Sequence, residues 1–183
     1  MARHGKQSIG LATSRDLFNW DRYAGNPVYT KPDWAMAYPN GWVDCRDAHI
    51  EWRNSEFLLY TMVTTKGGKG AIALASSPDA HSWADLGPVL ITFRTPESPR
   101  VFEHHGTYYM FASSSFGKKL FKSKDLKSKN WEEVPFQWPS PGLWSGWETQ
   151  QDDSRTLFST FKWEMNGNFI RYWEVEWHGE TRW

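Results

Sequence analysis

The 183-residue chain reads as all-β, and three observations carry that reading. Short apolar stretches separated by turn residues run along the whole length, and no window joins i, i+3, i+4, i+7 apolar spacing to helix caps. One segment occurs three times: Ile9-Gly10-Leu11-Ala12-Thr13-Ser14-Arg15-Asp16-Leu17 before Trp20, Ile72-Ala73-Leu74-Ala75-Ser76-Ser77-Pro78-Asp79-Ala80 before Trp83, and Lys119-Leu120-Phe121-Lys122-Ser123-Lys124-Asp125-Leu126 before Trp131. Each copy is a strand, then Ser-x-Asp, then a Trp four to six residues on, and the three aspartates lie 63 and 46 residues apart. Four antiparallel strands per unit of roughly 40–60 residues is the pattern of a β-propeller blade.

The elements follow in chain order. Residues 9–29 hold the first Ser-x-Asp copy and continue into Asn26-Pro27-Val28-Tyr29, which supplies only the two outer strands of a blade. Residues 41–93 make a full blade. Asp47 to Trp52 and Glu56 to Thr64 flank a turn at Arg53-Asn54-Ser55, Gly67-Gly68 leads to the Ala71–Ser76 strand, and Gly87-Pro88-Val89-Leu90 closes the set. Residues 96–137 make another, with Ser98 to Glu103 and Thr107 to Ser113 flanking His104-His105-Gly106. Residues 148–177 begin a third, with strands at 156–161 and 169–177. The expected organisation is thus one partial propeller domain over 1–183 with about three blades; a closed ring needs at least about four, so the chain is expected to be a fragment of a larger propeller or to have its ring completed by another chain. In each Ser-x-Asp unit the Ser and Asp side chains are expected to bond nearby backbone N–H groups and close the turn, with the Trp ring packed over it.

Composition narrows the function. Lys plus Arg is 21 and Asp plus Glu is 21, so there is no positive excess to displace the counterions of a nucleic acid. The longest apolar stretch, Phe57 to Val63, is too short to cross a bilayer, and residues 1–20 contain no signal-peptide core. Compartment does not follow from this. Cys45 is the single cysteine, so no disulfide forms within the chain, and no Cys/His spacing suggests zinc. Gly67-Gly68-Lys69-Gly70 precedes no helix, and Ser14, Ser77 and Ser123 lack a Gly-x-Ser-x-Gly elbow. Thirteen Trp, eleven Phe and seven Tyr suit a protein that stacks rings on sugars or bases, and neutral charge favours an uncharged ligand.

In a propeller the innermost strands line the axis, and polar groups at their starts converge on one mouth. Those starts are Asp44-Cys45-Arg46-Asp47-Ala48-His49, Thr95-Pro96-Glu97-Ser98-Pro99-Arg100 and Trp147-Glu148-Thr149-Gln150. Asp47 and Glu97 each put an acid there, and Pro96 and Pro99 hold a rigid strand start around Glu97. Paired carboxylates in one pocket are what glycosidic cleavage requires, although acids at strand starts also serve simply to satisfy loops. Trp34, Trp42, Trp144 and Trp147 fall in loops at the expected mouth, where they either stack on sugar rings or pack on hairpins. Arg46 either contacts a sugar hydroxyl or makes an ion pair. His49 follows Asp47 by two, so it is expected on the same side, bordering the pocket or packed along the axis. His104-His105 is expected exposed at its turn.

These strings resemble the five-bladed propeller glycoside hydrolases of families 43, 62, 32 and 68, with the related family 130. The matching segments are Trp42, Cys45-Arg46-Asp47-Ala48-His49, Phe57-Leu58-Leu59-Tyr60-Thr61, the Ala71–Trp83 repeat, Glu97-Ser98-Pro99-Arg100-Val101-Phe102 and Gly106-Thr107-Tyr108-Tyr109-Met110-Phe111. The likeness covers residues 9–137 well and 148–177 loosely, and Ala48 stands where the motif usually has Pro. It implies a glycosidase acting on oligo- or polysaccharides of furanosidase, xylosidase or fructosidase type. Glu97 would be general acid, and Asp47 would tune the acid's pKa or stabilise the transition state. Arg46, Trp42, His49 and Trp147 would contact substrate. It implies no cofactor; some members hold an axial calcium, whose ligands this sequence does not show. The third carboxylate of these families belongs to a first-blade inner strand, which would precede Met1, so the chain by itself is expected to lack it and to be inactive. The alternative is a non-catalytic carbohydrate-binding propeller, and a third reading is a protein-interaction propeller without a sugar site.

Overall fold

Two-residue turns with left-handed backbone organise the hairpins. The computed structural model describes residues 6–92, 95–114, 117–136, 144–151, 155–164 and 167–175. Strands β3 (Cys45–Arg53) and β4 (Glu56–Thr64) meet at Asn54 and Ser55, with φ of 52° and 62°. Strands β7 (Glu97–His104) and β8 (Thr107–Ser114) meet at His105 and Gly106, with φ of 48° and 70°. Positive φ at both central positions is the turn whose twist matches that of paired strands. Asn and Gly tolerate it, which is why these turns fall where they do.

No helix occurs among the described residues, and none is long and apolar enough to cross a membrane. Before β3 lie a short pair, β1 (Ala12–Thr13) and β2 (Asp21–Arg22), and the bridge Ile9–Tyr29. Strands β5 (Gly70–Ser77) and β6 (Ala84–Thr92) complete a four-stranded antiparallel sheet in the order β3-β4-β5-β6. A second four-stranded sheet runs β10-β9-β8-β7, with β9 (Gly117–Ser123) and β10 (Glu132–Val134). The last sheet is β11 (Trp144–Gln151), β12 (Thr156–Glu164) and β13 (Gly167–Glu174) in sequence order. Each of these sheets is a meander, as in a propeller blade. Trp144 and Trp147 therefore stand in β11 rather than in a loop, and their side chains lie outside the described residues.

The chain forms two compact units, Met1–Pro99 and Arg100–Trp183. In the first, β4 and β5 are buried on both faces. Ala71, Ala73 and Ala75 alternate with Ile72 and Leu74, and all are fully buried. The alanine face joins Tyr29, Ala35, Val43, Cys45, Leu59 and Val63, and Trp34 and Trp83 pack against that cluster. Small side chains there leave room for two indoles. In the second unit, Phe102, Tyr109, Phe111, Leu120 and Val134 form the core, with the Phe102 ring stacked on Tyr109 and Phe111.

The repeated turns take the expected form. Ser14 Oγ accepts from the N–H of Asp16 (3.2 Å) and Leu17 (2.8 Å), while Asp16 Oδ1 accepts from Phe18 and Asn19. Ser77 and Asp79 repeat this with Asp79, His81 and Ser82. Trp20 and Trp83 each donate Nε1–H to the carbonyl three residues back. In the third copy Asp125 accepts from Lys127 N–H alone among the described bonds, and its Trp comes two residues later in the sequence.

Candidate active site

The start of β3 is bent by a bulge. Arg46 pairs with Met62 and His49 with Tyr60, so Asp47 and Ala48 together face the single residue Thr61. Thr61 Oγ1 donates to the Arg46 carbonyl at 2.7 Å, satisfying an oxygen at the disrupted ladder. Asp47 sits in the left-handed region at φ 58°, a conformation that Asp tolerates better than most residues. The bulge shifts the alternation of the strand by one residue. His49 follows this bulge. It is 4% exposed, bonded through Nε2 to Glu51 Oε1 at 2.9 Å, with its ring 6.1 Å from Tyr60. The bulge interrupts the period-two spacing from which His49 was expected on Asp47's side.

The start of β7 is strained as well. Pro96 and Pro99 are buried, and between them Glu97 and Ser98 remain partly exposed. Ser98 has φ 51°. A residue before proline is turned away from the right-handed helical region, and here it occupies the left-handed one. Ser98 N–H donates to Asp47 Oδ2 at 2.9 Å. Two left-handed, non-glycine residues 51 positions apart are thus joined by one hydrogen bond. Each such backbone costs on the order of 1–3 kcal/mol and persists only where its surroundings over-determine it.

Arg46 completes the grouping. Its Nη2 meets Glu97 Oε1 at 2.6 Å, and its Nη1 meets Asp44 Oδ1 at 2.6 Å and Gln7 Oε1 at 3.1 Å. The Arg46 side chain is 28% exposed and the Glu97 side chain 47%, so the pair opens to solvent on the Glu97 side. Burial by itself would lower the Arg46 pKa, but bonds to Glu97 and Asp44 outweigh it and raise it. Asp44 is 8% exposed. Burial pushes its carboxyl up, yet bonds from Trp42, Thr64 and Arg46 and the Arg46 charge prevail and hold it below the ordinary value. Trp42 donates Nε1–H to Asp44 at 3.0 Å and so stands at the edge of this network.

The structure therefore brings Asp47, Glu97, Arg46 and Trp42 to one place, at the ends of two strands. Trp34 belongs to the core side: its Nε1 donates to Asp85 at 2.9 Å. Asp44 and Gln7 were not singled out from sequence. The available signal for Asp44 was its spacing of two from Arg46, which places both on one side of an extended segment. Gln7 carried no such signal. Among the described residues, no group of three or more His, Cys, Asp or Glu side chains could hold a metal ion.

Four-stranded antiparallel meander sheets give the chain the all-β propeller fold found in glycoside hydrolases. The particular likenesses are to solved enzymes. The chain superposes on Bombyx mori GH32 β-fructofuranosidase BmSUC1 with TM-score 0.67 and 21% identity, covering 85% of this chain and 37% of that one. It superposes on the endo-arabinase from Bacteroides thetaiotaomicron with TM-score 0.61 and 17% identity, covering 73% and 51%. A thermostable family-43 glycoside hydrolase gives 0.59 and 14%, covering 73% and 49%. The chain thus spans about half or less of the length of these enzymes. No family model and no curated protein matches the sequence.

Proposed function

We propose that this chain is the acid-bearing part of a glycosidase that cleaves a glycosidic bond of an oligo- or polysaccharide, of furanosidase, xylosidase or fructosidase type. The observation that carries the reading is the convergence of Glu97 and Asp47 through the Arg46–Glu97 ion pair and the Ser98–Asp47 hydrogen bond. Glu97, the more exposed acid of the Arg46 network, is assigned as general acid toward the leaving oxygen. Asp47, fixed by Ser98 N–H, supports the transition state or orients the acid. Arg46 and Trp42 present hydrogen-bond donors and an indole edge to a neutral sugar.

Glu97→Gln in the propeller completed with its first blade should lower turnover about 10²- to 10⁴-fold while the sugar Kd changes by less than about threefold. Unchanged turnover would remove Glu97 from the chemistry. A second reading, a non-catalytic carbohydrate-binding propeller, is favoured by one observation. Glu97 Oε1 is already engaged by Arg46 Nη2, as suits a group that binds and positions. Sugar binding by the propeller completed with its first blade, with no turnover on furanosides, xylosides or fructosides, would decide for it.

A further inference from the structure

Asp44 lies just before β3 and has no part in the reading above. Both of its oxygens are taken. Oδ2 accepts from Thr64 Oγ1 at 2.7 Å and from the Tyr38 hydroxyl at 3.1 Å. Oδ1 accepts from Trp42 Nε1 at 3.0 Å and Arg46 Nη1 at 2.6 Å. All four partners are donors toward it, and Thr64 is 20 residues away. The Arg46 guanidinium is planar, so fixing Nη1 between Asp44 and Gln7 also fixes the direction of Nη2. Nη2 is the atom that meets Glu97 Oε1.

We propose that Asp44 is a positioning residue: it locks the Arg46 fork so that Nη2 sets where the Glu97 carboxylate stands. An aspartate is required because an asparagine presents one acceptor oxygen and one donating amide, and cannot accept from all four groups. The consequence for catalysis rests on the assignment of Glu97 above, whereas the lock itself is observable without it.

Two measurements test this, NMR on this chain and kinetics on the propeller completed with its first blade. In ¹⁵N NMR, Asp44→Asn should release the Arg46 side-chain N–H signals from their restrained, slowly exchanging state and shift the Trp42 indole N–H. In kinetics, Asp44→Asn should lower kcat about tenfold with KM changed by less than about threefold, and Arg46→Lys, which keeps charge without the fork, should match it. The double variant Asp44→Asn/Glu97→Gln should turn over within about threefold of Glu97→Gln alone, because both changes act at one carboxylate. Arg46 signals unaltered in Asp44→Asn, or losses that multiply in the double variant, would overturn the proposal. If Asp44→Asn does not fold, Thr64→Val and Tyr38→Phe each remove one donor and carry the same NMR reading. Absence of turnover in every form of the completed propeller would end the glycosidase assignment, while the Arg46 signals would still decide the lock.

Discussion

The acids of the repeated turns and the acids at the strand starts use the same chemistry over different distances. Asp16 and Asp79 accept N–H groups two and three residues ahead, on an exposed surface. Asp44, Asp47 and Glu97 take partners 20, 51 and 51 residues away, and among those partners is a guanidinium. A local ring of bonds closes a hairpin and needs nothing else from the fold. A long-range set exists only when separate strands are already in place, and it leaves one carboxylate, Glu97, half open to solvent. That difference separates architecture from site more sharply than residue type does.

The largest stability effect is expected where a long-range charge is removed. Arg46→Met strips the charged partner from Asp44, whose side chain is 11% exposed. Trp42, Thr64 and Tyr38 still donate to it, so the loss is expected at about 2 kcal/mol rather than the larger penalty of a bare buried ion. Lys122 makes the contrasting pair, 3.9 Å from a Glu132 that is 72% exposed. Lys122→Met is expected to cost less than about 0.5 kcal/mol. Urea unfolding of both variants measures the contrast; equal losses would mean that the Arg46 network contributes no more than a surface pair.

Next comes the strain at Ser98. Ser98→Gly keeps the N–H that Asp47 accepts and removes the side chain from a left-handed position. A gain of up to about 1 kcal/mol is expected, offset in part by the greater freedom of glycine in the unfolded chain. A loss of stability would show that the serine side chain, not the backbone geometry, secures this segment.

Much of this architecture was legible because its signals are local. The Ser-x-Asp units and the Asn54-Ser55 and His105-Gly106 turns are made by neighbouring residues, so a window of ten positions holds the whole cause. Arg46, Asp47 and Glu97 were legible as acids and a base at strand starts, but what joins them was not. Nothing near Asp44 announces Thr64, and nothing near Arg46 announces Gln7, because those contacts depend on how strands are laid side by side. His49 shows a different limit. Its reading followed period-two alternation, which a single extra residue at Asp47–Ala48 interrupts. A bulge in a run such as Cys45-Arg46-Asp47-Ala48 has no composition that marks it beforehand; only the unusual φ of Asp47 does so afterwards.

The smallest expected effect is in acid. Three backbone and side-chain donors, led by the N–H of Ser82, hold the Asp79 carboxyl down at about 2 from an ordinary 3.8. A carboxyl lowered in the folded state stabilises fully above its unfolded value, and that contribution is lost as pH falls from 3.8 through about 2. Asp79→Asn should therefore flatten this part of the pH–stability curve and lower the Tm at neutral pH. Asp125→Asn should lower the Tm at neutral pH by less, because one backbone N–H bonds its carboxylate among the described bonds where two bond Asp79. Thermal melts of Asp79→Asn and Asp125→Asn from pH 2 to 7 measure this. If the two variants follow one curve, the three turns are equivalent supports despite their different bonding. If Asp79→Asn alone loses the acid-sensitive portion, the number of N–H groups gathered by each aspartate sets how much its turn contributes.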